Sequence, residues 1–133
     1  MSARILVIED NAANLELMTY LLGAFGYATS SATDGIAGLE AARNTPYDLV
    51  LTDILMPNLD GYEFARRFKA SPQLRRIPLI AVTALAMTSD RDRIIAAGFD
   101  GYISKPIDPK TFIGRIESFL TIEVGRSGSG PDR

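Results

Sequence analysis

The feature that most constrains the fold is a regular alternation of short apolar runs with amphipathic segments. The first run, residues 5–8 (ILVI), is continuous and rich in β-branched residues, which is typical of a strand covered on both faces. The next segment, ANLELMTYLLGAF, has apolar residues at 15, 18, 22 and 25, the spacing of an amphipathic helix. Asp10 or Asn11 suits the N-cap of this helix, and Gly26 suits its C′ position. The chain therefore begins with a strand–helix unit.

Four more strand–helix units follow along the chain. The predicted strands are residues 27–31, 48–52, 78–83 and 101–104. The predicted helices open at Asp34-Gly35 and stop before Pro46, cover residues 61–70, run through Ile94 and Ile95 to Gly98, and begin near Pro109. Apolar strands joined by helices predict a parallel sheet covered on both faces. We therefore predict the α/β class, with a doubly wound, flavodoxin-like (βα)5 sheet of order 2-1-3-4-5 and its switch point between strands 1 and 3.

Length and composition fit one domain. The chain has 133 residues, 47% of them hydrophobic and 23% charged, which is typical of a globular protein. Its last nine residues, GRSGSGPDR, are rich in glycine, serine and proline, a composition typical of disorder. We predict a domain at residues 1–122 and a flexible Gly/Ser-rich tail at 123–133.

The composition also excludes several kinds of chemistry. The chain has no cysteine, which excludes disulfides and thiol-ligated metals, and no histidine, the commonest general base. Its net charge of −2 and pI near 5.1 leave no basic surface for nucleic acid or anionic lipid, so we expect neither as a direct partner. No signal-peptide pattern and no membrane-spanning run is present, so a cytoplasmic location is the default expectation.

Polar side chains occur where four of the predicted strands end. Strand 1 ends in Glu9-Asp10, strand 3 in Asp53 and strand 4 in Thr83, while strand 5 continues into Lys105. In the order 2-1-3-4-5 these strands are neighbours, and ligands of such folds bind outside the carboxyl ends of the strands. The inferred strand order therefore predicts that these groups line one rim of the sheet.

The residue types at this rim suit a phosphoryl group beside a cation. Three converging carboxylates raise one another's pKa unless a positive charge lies between them. Mg²⁺ takes one or two carboxylates together with water and phosphate oxygens, while Lys105 offers a point charge for an anion and Thr83 a hydroxyl donor. Phosphoryl transfer needs mainly alignment and charge neutralisation, and a carboxylate can be the nucleophile.

Four stretches of the chain resemble the receiver domain of two-component response regulators, in its stand-alone form. They are ILVIEDN (5–11), LTDILMPNLDG (51–61), AVTALA (81–86) and YISKPI (102–107), and the resemblance extends over about residues 4 to 120. The resemblance implies that Asp53 is the phosphoacceptor and that Glu9, Asp10 and Asp53 form the Mg²⁺ pocket, joined by the backbone carbonyl of Leu55. It also implies that Lys105 and Thr83 contact the phosphoryl oxygens and that Lys105-Pro106 is a cis bond.

The same resemblance implies a regulatory protein rather than an enzyme. A sensor histidine kinase or a histidine phosphotransfer protein would donate the phosphoryl group to Asp53 in a Mg²⁺-dependent reaction. Thr83 would then move toward the phosphoryl group, and Tyr102 would rotate inward as the aromatic switch. The face built from helix 4, strand 5 and helix 5 would change shape and control a downstream protein target.

Each of these residues also has a purely structural interpretation. Glu9 and Asp10 also suit a solvated helix start, Thr83 an N-cap, Lys105 an ordinary surface lysine, and Tyr102 half-buried packing. Asp53 has the weakest alternative of this kind, because a carboxylate that ends a buried strand needs a partner.

The first helix carries two apolar rows. Leu15, Met18, Leu22 and Phe25 form the predicted core row, and Ala13, Leu17 and Leu21 form a second row that starts beside the acidic residues. The second row predicts either a wide core stripe or, as the family resemblance implies, a docking ridge for a helical phosphodonor.

Three rival functions differ in what they require. A flavin carrier of flavodoxin type needs a phosphate loop rich in glycine and hydroxyls after strand 1, where this chain has EDNAAN. A haloacid-dehalogenase-type phosphatase needs a second aspartate two residues after its nucleophile, where this chain has Leu55. A degenerate receiver that only binds partners remains open, although the presence of Asp53, Thr83 and Lys105 argues against it.

Overall fold

Three neighbouring strands are almost completely buried, as their continuous apolar sequences predict. The structure is a computed structural model that describes residues 3–84 and 88–129, and within it the side chains of residue 88 and of residues 121–129 are not described. The strands are β1 Arg4–Ile8, β2 Ala28–Ala32, β3 Leu49–Thr52, β4 Leu79–Thr83 and β5 Gly101–Ser104. Every residue of β3 and β4 is buried, and so is every residue of β1 after Arg4.

The strands form one parallel sheet in the order β2-β1-β3-β4-β5, which confirms the predicted fold class and topology. Successive side chains of a buried strand point to opposite faces. Leu6, Ile8 and Val50 accordingly join the cluster that contains Phe64 and Phe68. Their neighbours in β1 and β3 join the opposite cluster around Met18 and Phe112. Two apolar cores, one on each face, hold the sheet in place.

Five helices cover the two faces. They are α1 Ala12–Ala24, α2 Gly35–Asn44, α3 Gly61–Ala70, α4 Thr88–Ala97 and α5 Phe112–Ser129. Asn11, Asp34 and Asp60 cap the first three helices, each through a carboxylate or amide oxygen that accepts a backbone N–H three residues on. The prediction of an N-cap at Asp10 or Asn11 is thereby resolved to Asn11, and Gly26 has a positive φ of 89° after the last turn of α1.

One predicted core position of α1 is wrong. Phe25 is 63% exposed, and Leu21 is buried with Met18 and Leu22 instead. Phe25 is the C-cap of α1, where the backbone departs from helical geometry, so the helical spacing no longer governs where its side chain points.

The last helix extends into the predicted tail. Helix α5 extends to Ser129, so its backbone is helical over residues 123–129 of the predicted tail. Residues 130–133 lie outside the described residues, and the division at residue 122 remains a prediction.

Lys105-Pro106 is cis, as expected. None of the described helices is both long enough and apolar enough to cross a bilayer.

Candidate metal and phosphoryl site

Three carboxylates meet at the carboxyl ends of β1 and β3. Ile8 pairs with Thr52 at the end of the two strands, so the next residues, Glu9 and Asp53, leave the sheet side by side. The Asp53 amide still donates to the Ile8 carbonyl at 3.0 Å. One carboxylate oxygen from each of Glu9, Asp10 and Asp53 lies within 4.8 Å of the others. Strand register therefore builds the acidic pocket that the strand order predicted.

The two oxygens of Asp53 have different partners. Its Oδ1 accepts the Ile54 amide at 2.7 Å and the Leu55 amide at 3.4 Å, both at the start of the following loop. Its Oδ2 accepts a hydrogen bond from Lys105 Nζ at 3.1 Å. The residue is only 7% exposed, so the carboxylate is held in one orientation with Oδ2 toward the lysine.

Glu9 is the most deeply buried of the three acids. It has no exposed surface, and its Oε2 accepts the Asn11 amide at 3.2 Å. Its Oε1 lies 3.0 Å from Lys105 Nζ, but this ion pair lacks hydrogen-bond geometry, and Oε1 accepts no hydrogen bond within the described residues. Burial raises the pKa of Glu9 and the negative charge of Asp53 adds to this effect, while Lys105 and the Asn11 amide oppose it.

Lys105 connects the fifth strand to both acids. Its amide donates to the Thr83 carbonyl at 2.9 Å, which continues the β4–β5 ladder and directs the side chain across the rim. Burial alone lowers the pKa of this lysine, but the adjacent Glu9 and Asp53 carboxylates outweigh that effect, and the pKa is raised. The ammonium therefore stays charged between the two carboxylates.

Thr83 and Tyr102 lie where the strand order placed them. Thr83 is the last residue of β4 and is completely buried. Tyr102 in β5 is half-buried and packs against the core cluster that contains Phe64. The guanidinium of Arg91 lies 5.8 Å from the Tyr102 ring centre, and Arg115 donates to the Tyr102 carbonyl at 2.7 Å. Sequence reasoning missed both arginines, because such contacts depend on which helices border β5.

The second apolar row of α1 divides between surface and core. Ala13 is exposed and Leu17 half-buried, and with Glu16 and Tyr20 they line a shallow cavity of about 350 Å³. Leu21 belongs to the core. The row therefore does not continue along the helix as one ridge, and its exposed part is confined to the N-terminal half.

The donors in the acidic pocket fit a hard divalent cation. All three side chains offer oxygen, and three carboxylates are opposed by one lysine. Glu9 Oε1 is a buried acceptor without a hydrogen bond, and such a group calls for a further partner.

Comparisons with known proteins agree with this geometry. Residues 5–117 match the family model described as the response regulator receiver domain. The chain is 42% identical over 120 residues to the polar-differentiation response regulator DivK of Brucella ovis, covering 90% of this chain and 98% of that protein. It is also similar to a solved structure, the receiver domain of the Pseudomonas aeruginosa sensor histidine kinase PA1611, which has a magnesium ion coordinated in its active-site cleft. That match has a TM-score of 0.84 and 32% identity, and covers 91% of this chain and 99% of the other.

A more distant structure supports the fold alone. The chemotaxis response regulator CheY4 of Vibrio cholerae has a TM-score of 0.86 at 24% identity, over 90% of this chain and 99% of that chain. The family match and the DivK relative identify the protein as a regulatory domain, and the carboxylates of Glu9, Asp10 and Asp53 supply it with an acidic pocket whose ligands suit a divalent metal. The chain belongs to the response regulator receiver domain family and acts in two-component signal transduction with a histidine kinase or phosphotransfer partner.

Proposed function

We propose that Asp53 is the phosphoacceptor of this receiver domain and that Mg²⁺ is the cation held by Glu9, Asp10 and Asp53. One observation carries the proposal: Lys105 Nζ lies 3.1 Å from Asp53 Oδ2 and 3.0 Å from Glu9 Oε1, inside a pocket of three carboxylates. A purely structural acid at this position would need one counter-charge, whereas here two further carboxylates converge on it.

The asymmetry of Asp53 suggests which oxygen reacts. Two backbone amides hold Oδ1, while Oδ2 faces the mobile end of a lysine side chain. In the proposed step a lone pair of Oδ2 forms a bond to phosphorus, and the bond between phosphorus and the leaving group breaks. The electron pair leaves with the imidazole nitrogen of a phosphohistidine or with the acetate of acetyl phosphate. No proton transfer to or from Asp53 is needed.

Three groups neutralise or orient the transferred group in this proposal. Lys105 moves its contact from Oδ2 to a phosphoryl oxygen, and Thr83 donates its hydroxyl to another. Bound Mg²⁺, with the Leu55 carbonyl as a further ligand, would supply charge neutralisation for the phosphoryl oxygens. The remaining contribution of the fold is to hold Asp53 in line with the donor.

The proposed output is a shift of the face formed by α4, β5 and α5. Phosphorylation adds about −1.5 to −2 charges at Asp53. Thr83 moves toward this charge, and Tyr102 rotates into the space that Thr83 leaves. A downstream protein that binds the altered face then favours phosphorylation in turn, since coupling between two sites is reciprocal. The domain assists its own phosphorylation and dephosphorylation but turns over no separate substrate, and we place it in the cytoplasm.

The decisive experiment is incubation with Mg²⁺ and acetyl phosphate, followed by intact-protein mass spectrometry. We expect a single phosphoryl adduct that hydroxylamine removes and that Asp53→Asn abolishes. Asp60→Asn is the matched control, because Asp60 is in the same loop but its carboxylate caps α3, a role that asparagine also fills. An adduct that survives in Asp53→Asn, or no adduct from any donor including the kinase, would support the degenerate receiver instead.

We also propose that Ala13 and Leu17 form part of the docking surface for the phosphodonor. Their position on the shallow cavity of α1, next to the acidic pocket, supports this role. Leu17→Asp should block transfer from the kinase and spare labelling by acetyl phosphate. Leu15→Asp is the control, because Leu15 is also half-buried on α1 but does not line the cavity. Loss of both reactions in Leu17→Asp, or of neither, would rule out the docking role.

A further inference from the structure

The loop between β3 and α3 is closed at its base. It covers residues 53–60, and the Gly61 amide donates to the Ile54 carbonyl at 2.7 Å. Near its tip the Leu59 amide donates to the Pro57 carbonyl at 2.7 Å, and Asn58 between them has a positive φ of 69°. Few non-glycine residues adopt this backbone conformation, so neighbouring contacts must hold the loop in place.

Helix α2 supplies one of these contacts from outside the loop. A Cβ atom added to Gly35, the first residue of α2, would lie 2.7 Å from the Leu59 carbonyl oxygen and 3.0 Å from Leu59 Cβ. Real side chains do not approach a backbone oxygen this closely, so only glycine lets α2 pack against the loop at this point. The preceding residue, Asp34, caps α2, and its Oδ2 accepts a hydrogen bond from the side-chain Nδ2 of Asn58 at 3.5 Å.

The other end of this loop holds the acceptor. The Ile54 and Leu55 amides donate to Asp53 Oδ1 at 2.7 and 3.4 Å. Gly61 closes the base of the loop directly onto Ile54. A Cβ added to Gly61 would lie 2.5 Å from Ile54 Cα and 2.8 Å from the Asp53 carbonyl oxygen. A shift of the loop at Leu59 can therefore move the amides that donate to Asp53. The contact at Leu59 and the amides that hold Asp53 Oδ1 therefore belong to one short loop that is closed at its base.

We propose that Gly35 is a positioning residue for the acceptor pocket: its close contact with the Leu59 backbone sets the loop that orients Asp53 and presents the Leu55 carbonyl. This inference rests on the proposed function, since it takes Asp53 as a Mg²⁺ ligand. The three atoms nearest to a Cβ added at Gly35 all belong to Leu59, so the proposed effect on the pocket runs through the loop.

Helix α2 contains its own matched control. Gly38 is buried one turn after Gly35, and a Cβ added there would overlap Ile8 Cδ1, the far end of a flexible side chain in the core. Gly38→Ala should therefore disturb core packing without touching the loop. Comparing the two alanine variants separates a general loss of stability from a change at Asp53.

The test measures three properties of the wild type, Gly35→Ala and Gly38→Ala. They are the amide chemical shifts of Ile54 and Leu55 in metal-free protein, the Kd for Mg²⁺ by calorimetry, and the stability to urea. We expect Gly35→Ala to displace both amide signals and to weaken Mg²⁺ binding by about tenfold, the size typical of residues that orient metal ligands. Gly38→Ala should lose stability while its Mg²⁺ affinity and those two signals stay close to wild type.

The outcomes distinguish this inference from the proposed function. If wild-type protein neither binds Mg²⁺ nor accepts a phosphoryl group, the proposed function fails. If wild type does both and the two variants have equal Mg²⁺ affinity, Gly35 has no positioning role and the inference is overturned. Should Gly35→Ala not fold, Asp34→Ser replaces it, because serine still caps α2 but is too short to reach Asn58. A weaker Mg²⁺ affinity in Asp34→Ser supports the inference, and an unchanged affinity overturns it.

Discussion

Helices α3 and α4 have ten residues each, yet they are attached to the sheet very differently. The first follows β3 and Asp53, and the second follows β4, which ends in Thr83. Helix α3 is capped by Asp60 and has four buried residues, Gly61, Phe64, Ala65 and Phe68. Among the described side chains of α4, Ile94 alone is buried. The acceptor side of the rim is thus backed by a firmly packed helix, and the Thr83 side by a weakly packed one. Such a difference suits a site in which Asp53 stays in place while α4 moves, since moving elements come from the less stable parts of a fold.

The largest expected difference between α3 and α4 is in the free energy of unfolding that is lost when a side chain is truncated. Phe64→Ala in α3 removes a fully buried ring stacked on Phe68 and should lower the free energy of unfolding by about 3–5 kcal/mol. Ile95→Ala in α4 truncates a side chain that is 54% exposed, so it should change the free energy of unfolding by only about 0.5 kcal/mol. Urea unfolding of both variants measures the difference. Equal losses would show that α4 is as firmly packed as α3.

Hydrogen exchange should show the next largest difference. Amides of α4 should open locally with a free energy at least about 1.4 kcal/mol below that of α3, which corresponds to exchange at least about tenfold faster. Residue-resolved exchange at low denaturant measures this directly. Equal protection of the two helices would contradict the proposed mobility of α4.

Removing the contact between the two helices should have a smaller effect. The Arg93 guanidinium of α4 lies 4.3 Å from the ring centre of Tyr62 in α3, so Arg93→Ala should cost about 0.5–1 kcal/mol. The Tyr62 hydroxyl is buried and has no hydrogen bond in the described part of the chain. Tyr62→Phe, which keeps the ring, should therefore be neutral or stabilising. A destabilised Tyr62→Phe variant would mean that the hydroxyl has a partner in solution.

The smallest expected effect is electrostatic and lies on the exposed face of α3. Hydrogen bonds from Arg66 and Arg67 hold the pKa of Glu63 below its usual 4.5. Because the folded-state pKa is the lower one, the contact stabilises the fold above pH 4.5 and its contribution is lost as the pH falls through the folded-state pKa. Glu63→Gln should thus be slightly less stable than wild type at neutral pH and equal to it in acid. Unfolding curves of Glu63→Gln and of the wild type at neutral and at acid pH test this, and equal stability at neutral pH would contradict it.

Much of the fold followed from local patterns. The bounds predicted for α3 and β5 agree with the structure. Strands β1, β3 and β4 each differ by one residue at their first residue, and β2 is shifted by one residue at both ends. The errors fall where tertiary context decides. Phe25 keeps the helical spacing of the core row but comes after the last turn of α1, and its side chain is exposed. Spacing alone does not show how wide a face each helix buries.

The residues of the candidate site also fall into two groups, those that the sequence could indicate and those that it could not. Glu9, Asp10, Asp53, Thr83 and Lys105 could be chosen from sequence, because each follows or ends an apolar run and the strand order makes those ends neighbours. The Ile54 and Leu55 amides that hold Asp53 Oδ1 could not, since every residue except proline carries the same donor and only the loop geometry selects two of them. Arg91, beside Tyr102, was missed for a similar reason.

The sequence by itself determined the α/β class, the strand order and the residues of the acidic pocket, because hydrophobic periodicity and the polar residues that end it are local properties of the chain. The tertiary structure alone decided how those residues meet. It placed Lys105 between Glu9 and Asp53, turned one oxygen of Asp53 toward backbone amides, and packed Gly35 against the Leu59 backbone. The lysine and glycine contacts join residues far apart in the chain, and the amide contacts of Asp53 depend on how the loop after it turns. Only the packed positions of strands, helices and loops set such an arrangement.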